Sequence, residues 1–255
     1  MVFGSIRAHG IRSRSHLVQG VGVIGAGWTP QVDALSDRYT VICIDNRGIG
    51  RSTLDDRQLT IDDMAADVVA VADAEGIDRF HLAGHSRGGV IAQQVALTAP
   101  ARVSTLALLC TFLKGRQGRD TRLGWDAAHA SPRVRRADHA PGLPRSSRSR
   151  SAVRRSWIPL RPGPRRSAAD RHAAASRYGP FDASARLATL APIPTLVVSA
   201  AHDCIARPAY GRALAAAIPG ARYVEFSEAG HAVTIQCAAE INQLLDEHFA
   251  IAKGR

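Results

Sequence analysis

Several features that would send the function elsewhere are missing from this chain. No apolar run approaches the ~20 residues needed to cross a bilayer. The opening stretch MVFGSIRAHGIRSRSH carries basic residues with no apolar segment behind them, so the expectation is a cytoplasmic protein without a membrane partner. The cysteines are few and scattered. Cys43, Cys110, Cys204 and Cys237 form no Cys-x-x-Cys pair, which argues against a zinc site and a disulfide framework and predicts buried free thiols. No internal repeat is visible.

What remains is ample for one large domain. The chain has 255 residues, 45% hydrophobic and 22% charged, enough to bury a substantial core. Its net charge of +11 would suit a nucleic-acid binder if it were spread over the molecule, and it is not. Residues 115–178 hold sixteen Arg, no Lys and four Asp (Asp120, Asp126, Asp138, Asp170), a balance of +12, while the remainder carries 17 basic and 18 acidic residues. The same stretch has six Pro and only six residues drawn from Leu, Ile, Val and Phe, too few to bury much apolar surface. It differs in kind from the chain on either side.

Those flanks alternate strand and helix. HLVQG (16–20), YTVICID (39–45), RFHLAG (79–84), STLALLC (104–110), PTLVVSA (194–200) and ARYVEF (221–226) read as strands. Between them PQVDALSDR (30–38), the amphipathic 60–76 segment with Thr60 as N-cap and Gly76 past its end, VIAQQVALTAP (90–100), PAYGRALAAAIPG (208–220) and residues 234–249 read as helices. Continuous apolar strands alternating with helices predict an α/β domain, a mostly parallel central sheet with helices on both faces.

Gly84-His85-Ser86-Arg87-Gly88-Gly89 lies where a strand passes into a helix, the setting a nucleophile elbow requires. Glycines there permit the sharp turn that lifts the Ser86 hydroxyl out of the sheet, and a helix N-terminus behind it favours negative charge. A serine nucleophile needs a base, and the base an orienting carboxylate. Asp203, in Ala201-His202-Asp203-Cys204, and His231, in Ala229-Gly230-His231-Ala232, each follow a strand, at the carboxyl edge where open α/β sheets place their sites. Taken singly, each would pass for a surface Asp or a loop His.

These residues resemble the α/β-hydrolase fold superfamily, and in particular its esterase and enol-lactonase-like serine hydrolases. The matching pieces are residues 84–89, the loop Asp45-Asn46-Arg47-Gly48-Ile49-Gly50-Arg51-Ser52, Ala201-His202-Asp203 and Gly230-His231. They cover roughly residues 17–114 and 180–250. The resemblance implies hydrolysis of a small carboxylic ester or lactone through an acyl-enzyme, with Ser86 as nucleophile, His231 as base then acid, and Asp203 as orienting acid. It implies an oxyanion hole formed by the backbone N–H groups of Arg87 and Val21, although Gln19 stands where the family has His. Neither a cofactor nor a metal is implied. Asp45 belongs to a structural loop in this reading, and the Arg87 side chain is a candidate contact for an anionic substrate.

Two other readings use other parts of the sequence. Gly20-Val21-Gly22-Val23-Ile24-Gly25 fits G-x-G-x-x-G after a strand, and Asp45 follows its last glycine at the end of the next strand, as in a Rossmann-like dinucleotide-binding oxidoreductase. Against it, Gly27, Trp28 and Pro30 interrupt the helical turn that would receive the pyrophosphate. The second alternative is a catalytically impaired hydrolase homologue whose basic insert binds nucleic acid non-specifically. Residues 1–114 and 179–255 would form the hydrolase core in either hydrolase reading, with 115–178 as an Arg/Pro-rich insert at the cap position. That insert has three readings: a poorly ordered basic cap, an arm for nucleic acid or an anionic surface, or coding sequence read in the wrong frame. The N-terminal segment 1–16 looks similarly out of character.

Overall fold

The computed structural model describes residues 5–8, 14–18, 24–50, 52–53, 59–114 and 181–254. Seven strands among them form one sheet in the order β1-β3-β2-β4-β5-β6-β7. The strands are β1 (Ser5–Ala8), β2 (Arg14–Val18), β3 (Thr40–Ile44), β4 (Phe80–His85), β5 (Val103–Leu109), β6 (Thr195–Ala200) and β7 (Arg222–Phe226). Every neighbouring pair runs parallel except β1 with β3. The helices are α1 (Thr29–Leu35), α2 (Ile61–Ala74), α3 (Arg87–Thr98), α4 (Pro208–Ala217), α5 (Val233–Gln236) and α6 (Ala238–Ala250).

The central strands are buried along their whole length because helices cover both faces of a parallel sheet. All six residues of β4 and of β6 are buried, whereas β7 at the sheet edge is only partly covered. Helix α2 begins with a capping box: the Thr60 hydroxyl accepts the Asp63 N–H at 3.0 Å, and the Asp63 carboxylate accepts the Thr60 N–H at 3.1 Å. It ends at Gly76, whose φ of 61° a side chain would oppose. Among the described residues, Trp28, Tyr39, Phe80 and Phe249 are the largest fully buried side chains. The Phe249 ring lies edge-on to Tyr39 and stacks on His81 with centroids 4.7 Å apart, which fastens α6 to the sheet.

The N-terminal segment 1–16, out of character by composition and counted with the core 1–114, contributes β1 and the start of β2, whose backbones ladder onto β3. Three sequence expectations need correction. Helix α3 starts at Arg87 and not at Val90, because the turn at Ser86 passes directly into the helix and takes Gly88 and Gly89 into its first turn. The closing helix is two helices, broken where Cys237 leaves helical geometry at φ −122° and ψ 45°. Of the four thiols, all free, only Cys43 and Cys110 are buried; Cys237 is half-buried and Cys204 exposed.

Two buried polar contacts tie the loop after β3 into the core. Asp45 accepts the Gly25 N–H at 2.6 Å. Arg47 and Asp67, both nearly fully buried, form a two-point ion pair with one contact at 2.7 Å, joining that loop to α2. Among the described residues no helix is long and apolar enough to cross a membrane.

Candidate active site

Ser86 sits between β4 and α3 with φ 57° and ψ −124°, a backbone conformation that costs a non-glycine residue of order 1–3 kcal/mol and persists only when its surroundings hold it. The surroundings do so from three sides. Its N–H donates to the Leu109 carbonyl at 2.9 Å, its carbonyl accepts the Gly89 N–H at 2.9 Å, and the Thr111 hydroxyl donates to that same carbonyl at 2.6 Å. The turn is also tight enough to demand glycine on both sides. A Cβ on Gly84 would collide with the Gly88 carbonyl, and one on Gly89 would lie 2.6 Å from the Thr111 side chain. Gly84 is thus required by close backbone approach, and Gly89 by the Thr111 side chain packed against it.

The other two residues arrive on loops from β6 and β7. Asp203 is buried, and one carboxylate oxygen accepts the N–H groups of Ile205 and Ala206, each at 2.8 Å. Its second oxygen faces His231 Nδ1 at 2.8 Å, while His231 Nε2 faces Ser86 Oγ at 3.0 Å. A carboxylate can only accept, so Nδ1 carries the proton and Nε2 presents its lone pair to the serine hydroxyl. The two loops are stitched together: Ala201 N–H donates to the Phe226 carbonyl at 2.8 Å and His202 N–H to the Ala229 carbonyl at 2.9 Å. The Gly230 N–H is held by Gln236 Oε1 at 2.8 Å. Ser86, His231 and Asp203, 145 and 28 positions apart in the pairs that touch, are thereby joined in one hydrogen-bonded chain.

Two neighbours escaped the sequence reading. His85, the residue before Ser86, is buried and lies with its ring 4.8 Å from that of His231; its Nε2 is 2.7 Å from the His231 carbonyl. Burial, reinforced by His231 nearby, pushes its pKa down to about 3, so it is neutral at ordinary pH. Cys110, with φ 46°, is buried against Asp203. Burial and the Asp203 charge push its thiol well above the usual range, so it stays protonated and is no competing nucleophile. The only sequence signal for His85 was its place as the first x of G-x-S-x-G, and for Cys110 its place at the end of a strand.

Donor atoms of His85, Cys110 and His231 lie within 4.8 Å of one another, a set that would suit a soft metal by type. Both nitrogens of His231 are engaged by Ser86 and Asp203, and Nε2 of His85 by a carbonyl. The cluster is committed to hydrogen bonding. Arg87 opens α3 with its side chain half-buried. Its backbone N–H belongs to the first turn of a helix, where no intrahelical acceptor exists. Val21 and Gln19, most of the glycine run 20–25, and residues 115–178 lie outside the described residues.

A parallel sheet with a serine on a strand-to-helix elbow, and an acid and a histidine on the two following strand-end loops, defines the alpha/beta hydrolase fold. The chain belongs to that family, whose model matches residues 16–236. It is 30% identical over 259 aligned positions to a Klebsiella pneumoniae (strain 342) protein named as a proposed carbamate hydrolase, RutD, with 92% of this chain and 90% of that protein covered. A protein of the same name from Azorhizobium caulinodans is 41% identical over 101 residues, and there the match spans only 38% of the relative's length. Among solved structures the chain is similar to the enol-lactonase from Burkholderia xenovorans LB400, at 25% identity and TM-score 0.73, covering 97% of this chain and 96% of that one. It also shares its fold with a hydrolase from Pseudomonas aeruginosa PA01, at 23% identity and TM-score 0.74, covering 95% and 92%. Membership of this hydrolase family leaves the Rossmann-like alternative without support.

Proposed function

We propose that the protein is a serine hydrolase that cleaves a small carboxylic ester or lactone. Ser86 Oγ attacks the carbonyl carbon while His231 Nε2 takes its proton, and Asp203 holds the imidazole in the required tautomer and steadies the imidazolium. The tetrahedral oxyanion is received by the Arg87 N–H and, as the family resemblance implies, by the N–H of Val21. His231 then protonates the leaving oxygen as the C–O bond breaks. Water, deprotonated by His231, attacks the acyl-enzyme and returns Ser86 to its free form. The chemistry as written calls for neither metal nor organic cofactor. The observation that carries this reading is the chain Ser86 Oγ, His231 Nε2, His231 Nδ1, Asp203 Oδ2, with contacts of 3.0 and 2.8 Å and its serine held at positive φ.

The similarity to an enol-lactonase supports an ester or lactone carbonyl. A second reading has its own support in the Klebsiella relative: the scissile group is a carbamate, and Ser86 carries a carbamoyl group. Both use the same residues and differ in the group next to the carbonyl. In both, residues 1–114 and 179–255 form the catalytic unit and 115–178 an insert that touches nucleic acid non-specifically if at all.

The test is covalent labelling with a fluorophosphonate, which needs a nucleophilic serine and no knowledge of the substrate. Wild type is expected to label on Ser86 and to hydrolyse short-chain nitrophenyl esters. Ser86→Ala is expected to lose both, with kcat down by on the order of 10⁴-fold or more. Undiminished labelling of the alanine variant would overturn the assignment.

A further inference from the structure

We infer that His85 is a positioning residue for the base His231, an inference that rests on the proposed serine-nucleophile reading. The catalytic geometry depends on where the ring of His231 stands, and that ring is carried by the loop 230–232, whose position no strand fixes directly. The His85 side chain reaches across to this loop. Its Nε2 lies 2.7 Å from the His231 backbone carbonyl, a contact spanning 146 positions of sequence.

The protonation of His85 follows from its partners. The carbonyl can only accept, so Nε2 must carry the N–H. With the ring neutral, Nδ1 is then a bare lone pair, buried and with no hydrogen-bond partner among the described residues. Burying an imidazole with one nitrogen unsatisfied is a cost, and a leucine in its place would pack the same volume without it. The polar ring is therefore not there for packing. What it supplies is the single N–H to His231, and its neutrality keeps a second positive charge away from the imidazolium that forms during turnover.

The placement also gives the contact its use. His85 and Ser86 are consecutive residues, the last of β4 and the elbow that follows. One strand end therefore grips His231 twice: through Ser86 Oγ to ring Nε2 at 3.0 Å, and through His85 Nε2 to the backbone carbonyl at 2.7 Å. The nucleophile and the anchor of its base move together as one rigid unit, so the reacting pair keeps its separation when the loop fluctuates. Gln236, holding Gly230 N–H at 2.8 Å, steadies the loop from its other side.

Three variants separate bridging from packing. His85→Leu keeps volume and cannot donate. His85→Gln places an amide N–H near the position of Nε2, and His85→Asn carries the same amide on a stem too short to reach. Each is read by the rate of fluorophosphonate labelling at Ser86, by kcat and KM on a nitrophenyl ester, and by melting temperature. The Leu and Asn variants are expected to label and turn over roughly 10- to 100-fold more slowly, with KM within about twofold of wild type, as for a displaced catalytic group. The Gln variant is expected to recover to within a few-fold of wild type. If Leu proves unable to fold, the comparison of Asn with Gln decides alone. A Leu or Asn variant as fast as wild type, or a Gln variant no faster than Asn, overturns the role of His85 while leaving Ser86 as nucleophile. A wild type that does not label at all overturns the parent reading and this one with it.

Discussion

The side chain of Asp45 accepts the backbone N–H of Gly25 at 2.6 Å across a separation of 20 residues. These are the acidic residue and the last glycine of the spacing that imitates a dinucleotide-binding fingerprint. Here the pair is a latch. Asp45 is buried, the Ser52 hydroxyl donates to its carbonyl at 2.5 Å, and Gly50, at φ 56°, lies so near its carboxylate that an added Cβ would overlap it. Gly25 in turn opens a 3₁₀ turn, Gly25–Trp28, before Thr29 and Pro30 begin α1.

The Asp45 carboxylate is buried, holds Gly25 with one oxygen and has Gly50 packed against it, so it is not presented to a ribose. Titration with NAD or NADP is expected to give no saturable binding at millimolar concentration. Asp45→Ala is expected to lower unfolding free energy by about 2 kcal/mol through the orphaned N–H, measured by urea denaturation. Nucleotide binding that disappears in this variant would contradict the latch.

Asp203 fixes the His231 tautomer and is itself fixed by the N–H groups of Ile205 and Ala206. Asp203→Asn is expected to reduce kcat by on the order of 10⁴-fold while the fold survives, because an amide lets the imidazole settle in the wrong tautomer. Steady-state rates alongside a circular dichroism melt check this; a loss under tenfold would contradict the role.

Gly84→Ala tests the elbow. The new Cβ meets the Gly88 carbonyl, which is backbone and cannot swing aside. The expected outcome is a fall in labelling rate of at least 10²-fold together with a lowered melting temperature. Wild-type labelling in this variant would show that the turn has slack that the contacts deny.

Acid stability turns on His248. It is buried in α6, its Nε2 donates to the Leu106 carbonyl at 3.0 Å, and burial pushes its pKa down to about 4. An unfolded histidine titrates near 6.5, so between those values only the unfolded chain takes up the proton. The stabilisation is complete above pH 6.5 and is lost as pH falls toward 4. His85, held neutral in the same way, adds to the effect. His248→Gln, which keeps a donor and cannot titrate, is expected to flatten the decline in melting temperature between pH 6.5 and 4; an unchanged decline would exclude His248 as its source.

The sequence determined by itself what depends on local pattern and on chain order. The buried strands were legible because parallel strands covered on both faces must be apolar throughout, and helix α2 because Thr60, its periodic apolar face and Gly76 mark both ends and the middle. Ser86, Asp203 and His231 could be picked out because each follows a strand, and parallel topology sends every such end to one edge of the sheet. The tertiary structure decided what depends on side chains meeting across long separations. Composition made the segment 1–16 look foreign, yet strand pairing uses the backbone and gave it two places in the sheet. The pattern of glycines and Asp45 imitated a nucleotide fingerprint that Gly27, Trp28 and Pro30 argued against, and the sequence could say of Asp45 only that it belongs to a structural loop; that it latches Gly25 is decided by the contact itself. The grip of His85 on His231 was invisible for the same reason: a hydrogen bond between two positions so far apart in the chain leaves no periodicity, cap or spacing behind. It exists only once β4 and the loop after β7 have been brought to the same edge.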